Sequence, residues 1–253
     1  MKSQRSHTGS ARAAHWMGLA LAAGLLAPGA AWASAGKVSF LEGKAFRAPA
    51  GEVAKQVALA NGASVEAGDL ITTSSKSRVE LTLADQSVVR VGPESKTLLS
   101  QADFGDSARK FSAKLLLGHV WAKVSSALGG DSKFEVTTER AVAGVRGTTF
   151  RVDSRKDKAV VVKVFAGAVA VAGSSIPRPL VAKTKAEKGP RTQIAGPHEV
   201  SKKEWERLVG AQMQIKVAAD GTFSEPEKFA EADACKDPWT RWNRERDGDP
   251  CPK

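Results

Sequence analysis

The stretch that most constrains the fold is Thr137–Asp153, TTERAVAGVRGTTFRVD. Phe134 and Val136 alternate with polar neighbours just before it, and Phe150 and Val152 do the same near its end. A period of two sends successive side chains to opposite faces, so these runs predict half-buried strands. Gly144 and Gly147, three positions apart, predict a bend or a close backbone approach that a Cβ would obstruct. Arg146 between them has two readings. It is either a guanidinium paired to carbonyls exposed by the bends, or a charge facing a ligand. Gly144, Arg146, Gly147, Thr148 and Thr149 are the candidate binding or signature turn.

The same alternation recurs elsewhere. Val79, Leu81 and Leu83 interleave with Arg78, Glu80 and Thr82, which predicts one buried and one wet face. Val160, Val162 and Val164 repeat the pattern, and Val169 and Val171 follow across a turn at Gly167. The chain is 42 % hydrophobic but only 6 % aromatic and has no tyrosine, so Val, Ala, Gly and Thr must carry a core of short strands. About a dozen strands are expected between Gly36 and Ala172. The predicted fold class is mainly β, a β-sandwich or a β-roll, since both require this alternation. Asp103–Ala108 and Ala127–Asp131 read as loops, where ligand contacts concentrate on a rigid scaffold.

Six motifs in order carry a resemblance to a known family. They are Gly36-Lys37-Val38 with Gly43-Lys44-Ala45, Ala67–Thr73, Ser77–Leu81 with Val89–Ser95, Leu117–Ala122, the Gly144–Phe150 turn, and Val164–Val169. Together they resemble the FecR-type domain, with its G-V-R-G-T-x-F turn. At Asp85-Gln86-Ser87 this chain departs from the Asp-Gly usual in the family. The resemblance implies a periplasmic sensing module, in its best-known members one that reports iron-siderophore uptake through an outer-membrane receptor. It also implies the alternative of a membrane-anchored regulator of an extracytoplasmic sigma factor.

The amino terminus reads as an address. A polar, basic start is followed by the short apolar run Met17–Ala27, a Pro28-Gly29 break and the small-residue site Ala31-Trp32-Ala33. This predicts a signal peptide over residues 1–33, cleaved after Ala33, and a periplasmic or secreted product without stable membrane insertion. The sixteen residues before the apolar run are too few for a cytoplasmic anti-sigma unit with its own core. Loss of Lys2, Arg5 and Arg12 lowers the net charge from +11 to +8. That excess has no basic stripe with interleaved aromatics, so a nucleic-acid partner is not expected. An envelope protein or glycan is.

After the β domain (34–172) the texture changes. Residues 173–198 read as a linker, Gly173–Pro190, with one last strand at Arg191–Ala195. Ser201 and Glu204 have capping-box spacing, and Trp205, Leu208, Val209, Gln212 and Met213 recur helically. An amphipathic helix over Lys202–Ile215, docked on the β domain, is predicted within 199–216. The tail, 217–253, is polar and expected to be irregular. It holds the only cysteines, Cys235 and Cys251, which in an exported chain predict a disulfide pinning Trp239 and Trp242.

The search for chemistry finds no metal, nucleophile or phosphate-loop motif. Only His119 and His198 follow the signal peptide, far apart. Asn243, Glu245 and Asp247-Gly248 mimic the start of a calcium loop that has no twelfth position. No catalytic residue, metal or cofactor is expected, and the chain is read as a non-enzymatic binding module. A polysaccharide-acting enzyme with carboxylates paired by the fold is the second alternative.

Overall fold

In a computed structural model, residues 34–105, 108–125, 132–174 and 206–252 are described. They form two stacked layers of mainly antiparallel strands. The first layer runs, in spatial order, β4 (Ser64–Glu66), β1 (Ser34–Glu42), β6 (Arg78–Leu83), β7 (Val88–Val91), the second half of β9 (Arg109–Lys123), β12 (Thr149–Ser154), β13 (Val160–Ala166), β16 (Met213–Val217) and β17 (Glu227–Lys228). The second runs β3 (Val57–Ala58), β2 (Ala45–Pro49), β5 (Asp69–Thr73), β8 (Lys96–Phe104), the first half of β9, β10 (Lys133–Thr137), β11 (Ala141–Val145), β14 (Ala168–Gly173) and β15 (Glu206–Gly210). The fold is a β-sandwich whose layers share one long strand.

Register explains the core. Val79, Val91, Val120, Val152, Val162 and Ile215 are successive partners across the first layer. Each is at most 1 % exposed. Against them the second layer sets Ile71, Leu99, Phe111, Phe134, Val136 and Val171 in the same cluster. Burying such a side chain contributes about 1.5–3 kcal/mol relative to exposure. Small β-branched residues supply the core, as the tyrosine-free composition requires.

Strands pass between layers at sharp corners, and the two halves of the chain turn at opposite edges. The corners after Glu42, before Arg78, after Val91 and at Gly118 are neighbours, because Glu42 pairs Arg78, Val79 pairs Val91, and Val91 pairs Val120. β12 pairs Thr149 with Lys123 and Ser154 with Gly118, which puts its corner at the far end. The parallel pairing of β9 with β10 makes this reversal. One packing device recurs at the corners: a glycine in the left-handed region lies against a neighbouring hydroxyl. A Cβ on Gly118 (φ 95°) would meet Ser95 Oγ at 2.1 Å, while that hydroxyl accepts from His119 N at 2.9 Å. Gly43 and Ser77 repeat the arrangement. At the Asp85-Gln86-Ser87 departure, Gln86 itself adopts φ 67°, and Asp85 accepts from Ser87 N and Oγ at 3.0 and 2.9 Å.

Three expectations need correction. The helix predicted over Lys202–Ile215 is a β-hairpin in its described part: β15 and β16, joined through Gln212 at φ 58°. Leu208 points outward, 72 % exposed, while Val209 and Ile215 are fully buried. The open backbone edges of β13 and β14 outweigh a helical spacing interrupted by Gly210. Second, the tail is ordered. It forms β17, the short helix α1 (Glu231–Ala234) and the helix α2 (Pro238–Asp247). Third, the outward face of the first layer is not wet, since Glu80, Arg90 and Arg151 are each under 10 % exposed. The Gly173–Pro190 linker (beyond Ser174), the Arg191–Ala195 strand, His198, the signal peptide, part of the predicted Asp103–Ala108 loop and all of the predicted Ala127–Asp131 loop lie outside the described residues. Among the described residues no helix is long and apolar enough to cross a membrane.

Candidate functional site

The candidate turn forms the corner between β11 and β12. Gly147 adopts φ 61°. Thr148 is buried, and its hydroxyl lies 3.1 Å from the carbonyl of Arg146 and 2.9 Å from that of Ala168. The matching corner, Gly167, packs so closely that a Cβ would stand 2.8 Å from Gly147 O. Gly144 behaves differently from expectation. It sits in regular pairing with Glu135 and Ala170, and a Cβ there would meet nothing nearer than 3.9 Å. Thr149 pairs with Lys123 and Ala166 at the start of β12. Arg146 is exposed, and its guanidinium has no partner among the described residues. The paired reading of Arg146 is therefore corrected: the corner is built by Gly147, Thr148 and Gly167, and it presents the arginine to solvent.

A second feature was not anticipated. On the outward face of the first layer, Glu80, Arg90, Trp121, Arg151 and Lys163 are successive cross-strand partners. The predicted disulfide Cys235–Cys251 is present, with Cα atoms 5.9 Å apart, and the segment it closes lies over this row. Local signals explain α2. Asp237 caps it by accepting from Thr240 N at 2.9 Å, Pro238 takes the first turn, and Gly248 ends it at φ 77°. These signals, Asp-Pro at one end and Gly at the other, were legible in the sequence and could have located the helix.

The contacts beneath α2 are ionic. Arg90 Nε donates to Glu80 at 2.6 Å, and its Nη2 lies 2.7 Å from Asp247 Oδ1, an ion pair outside hydrogen-bond alignment. Arg246 grips both oxygens of Glu80 at 3.0 Å and stacks its guanidinium 4.2 Å from the Phe40 ring centre. Burial pushes the Glu80 carboxyl up, but hydrogen bonds from Arg246, Arg90 and Ser39 outweigh it and hold the pKa at about 2. Further along, Arg151 donates to Asp153 at 2.7 Å and Thr240 at 2.8 Å and also pairs with Asp237. His119 Nδ1 lies 2.6 Å from Asp153. Burial opposes the charge on Asp153 and on Asp237, yet the bonds from His119 and Arg151 hold Asp153 below the usual carboxylate range, and Arg151 and Thr240 do so for Asp237. A carboxyl that cleaves glycosidic bonds as an acid must instead be kept protonated.

Where α2 begins, an open groove of about 630 Å³ lies beside the corner at Gly118. Arg78, His119, Ser154, Arg155, Lys156 and Trp239 line it, with Glu94 and Asp237 as its carboxylates. Arg146 is not among the lining residues, so the structure does not join the candidate turn to the groove. Among the described residues there is no group of three or more His, Cys, Asp or Glu placed to hold a metal ion. The calcium-like residues Asn243, Glu245 and Asp247 stand on α2 rather than in a loop.

Comparison with known proteins gives three findings. No curated protein matches this chain. Two crystal structures of a putative anti-sigma factor from Parabacteroides distasonis are similar, at 19 % identity with TM-score 0.47 and at 17 % with TM-score 0.46. They cover 69 % and 67 % of this chain, and the chain spans 64 % of each of them. The family model described as FecR protein matches residues 69–170 of this chain, from β5 to β14.

Proposed function

We propose that this chain is an exported, non-enzymatic FecR-domain module that binds a ligand or protein partner in the cell envelope and serves sensing there. The observation that carries the reading is the FecR match over residues 69–170, on a chain whose first 33 residues have the organisation of a signal peptide. The rigid sandwich supports it, because corners such as Arg146 and the groove beside α2 are presented on elements locked by packing. The disulfide supports export, since such bonds persist in oxidising compartments.

The test is fractionation of cells expressing the full chain, followed by intact mass with and without reductant. Soluble periplasmic protein beginning at Ser34, lighter by two hydrogens before reduction, is the expected result. Photo-crosslinking from position 146 then captures the partner. Membrane-bound protein retaining Met1 would overturn the reading in favour of an anchored regulator of an extracytoplasmic sigma factor.

A further inference from the structure

We propose that the groove beside the α2 amino terminus binds a sugar carrying an anionic group, a carboxylate or a phosphate. This rests on the reading of the chain as an envelope binding module and names the site and the class of ligand.

Three observations converge on it. The turn after β12 carries Arg155 and Lys156, both exposed and both without a side-chain partner among the described residues. The other cations near it are engaged: Lys158 holds Glu139 at 2.7 Å, Arg151 bonds Asp153, Asp237 and Thr240, and Arg78 in the groove wall lies 3.4 Å from Glu42. Second, Ser154, only 5 % exposed, lines the same groove, and its hydroxyl makes no hydrogen bond among the described residues. That Oγ is not among the unpaired buried atoms, so it opens to the groove and can donate to or accept from a ligand oxygen. Third, the lining is mixed. Half-buried Pro93 and Leu117 and buried Trp239 give an apolar side, and Arg155 and Lys156 give a charged one. A sugar ring offers the same pairing of C–H surface and hydroxyls, and the anion meets the two unpaired cations through charge-assisted hydrogen bonds. The volume is in the range of small-ligand sites. Glu94 and Asp237 on the rim disfavour a ligand with several anions placed all round it.

The test uses the full chain purified as cells process it. Amide and His119 ring resonances are followed during titration with galacturonate, glucose 6-phosphate and neutral glucose. Saturable shifts confined to Gly118, His119 and Ser154–Lys156 are expected, with glucose at least tenfold weaker. Which of the two anionic sugars binds more tightly identifies the anion. The double variant Arg155→Ser with Lys156→Ser should weaken binding at least tenfold, and Ser154→Ala a few-fold, with unchanged circular dichroism and an intact disulfide by mass. A control pair, Lys158→Ser with Lys216→Ser, should change nothing. Shifts spread over surface lysines, an equal loss in the control pair, or no shift with either anionic sugar would overturn the proposal. None of those results would touch the export reading, which fractionation decides separately.

Discussion

The indole N–H of Trp121 donates to the carboxylate of Asp247 at 2.9 Å across 126 positions of sequence. Trp121 lies on the outward face of the first layer and is fully buried. Phe165 packs at 4.5 Å on its ring, and Phe165 in turn meets Phe229 at 5.3 Å. The tail is thus a structural layer, holding a sheet face dry by a combination of aromatic contact and ion pairing.

That layer depends on the cross-link. Replacing Cys235 and Cys251 together by Ser should cost about 2–4 kcal/mol, since the bond spans a sequence separation of 16. Denaturant unfolding measures the loss. The emission of the stacked pair Trp239–Trp242 should move to the red while far-UV circular dichroism keeps its β signature.

Arg90 is the hub beneath α2. Arg90→Met removes a cation held between Glu80 and Asp247 and should cost about 3–5 kcal/mol, because two buried carboxylates lose it. Adding Glu80→Met should recover part of that loss, so the double variant in the same unfolding assay falls short of the sum of the singles.

Stability should fall in acid with a defined sign. Glu80 has a folded pKa of about 2 against an ordinary 4.5. Its contribution is therefore complete above about 4.5 and is lost as pH falls through 2. Asp153 and Asp237, both held below their ordinary 3.8, act in the same direction over the lower part of that window. Unfolding midpoints between pH 6 and pH 2 should decline, and Glu80→Gln, less stable at neutral pH, should decline less steeply.

The corner at Gly167 can be separated from simple backbone preference. Gly167→Ala combines φ 81° with a 2.8 Å approach to Gly147 O, whereas Gly221→Ala has φ 89° and open space. The second should cost about 1–2 kcal/mol and the first at least about 1 kcal/mol more. Equal costs in thermal or denaturant melts would show that the corner yields.

Arg146→Ala should change stability by less than about 0.5 kcal/mol, as expected for an exposed side chain without a partner. Loss of partner crosslinking by a variant that melts like the parent would assign Arg146 to recognition. A melt lowered by more than that would make the arginine structural.

Much of the fold was legible because burial on one side of a strand leaves a period of two. Val79 and Leu81, or Val160, Val162 and Val164, sit in the core where their alternation put them, and the two cysteines pair. What alternation cannot report is whether the polar side is covered. Glu80 reads as solvated, and only a helix more than 150 positions later, bearing Arg246 and Asp247, makes it a buried ion. That helix escaped the search for an apolar stripe because it docks through charges and two tryptophans. Its end signals, Asp237-Pro238 and Gly248, are local and were readable. The segment of Leu208, Val209 and Met213 shows the converse: a spacing compatible with a helix becomes a hairpin because β13 and β14 offer unpaired backbone at their edges. The candidate site divides the same way. Local sequence determined the glycine and threonine chemistry of the Gly147–Thr148 corner. Tertiary structure alone decided that Arg146 faces solvent and that Ser154, Arg155 and Trp239 share a groove, because residues 85 positions apart meet only through packing.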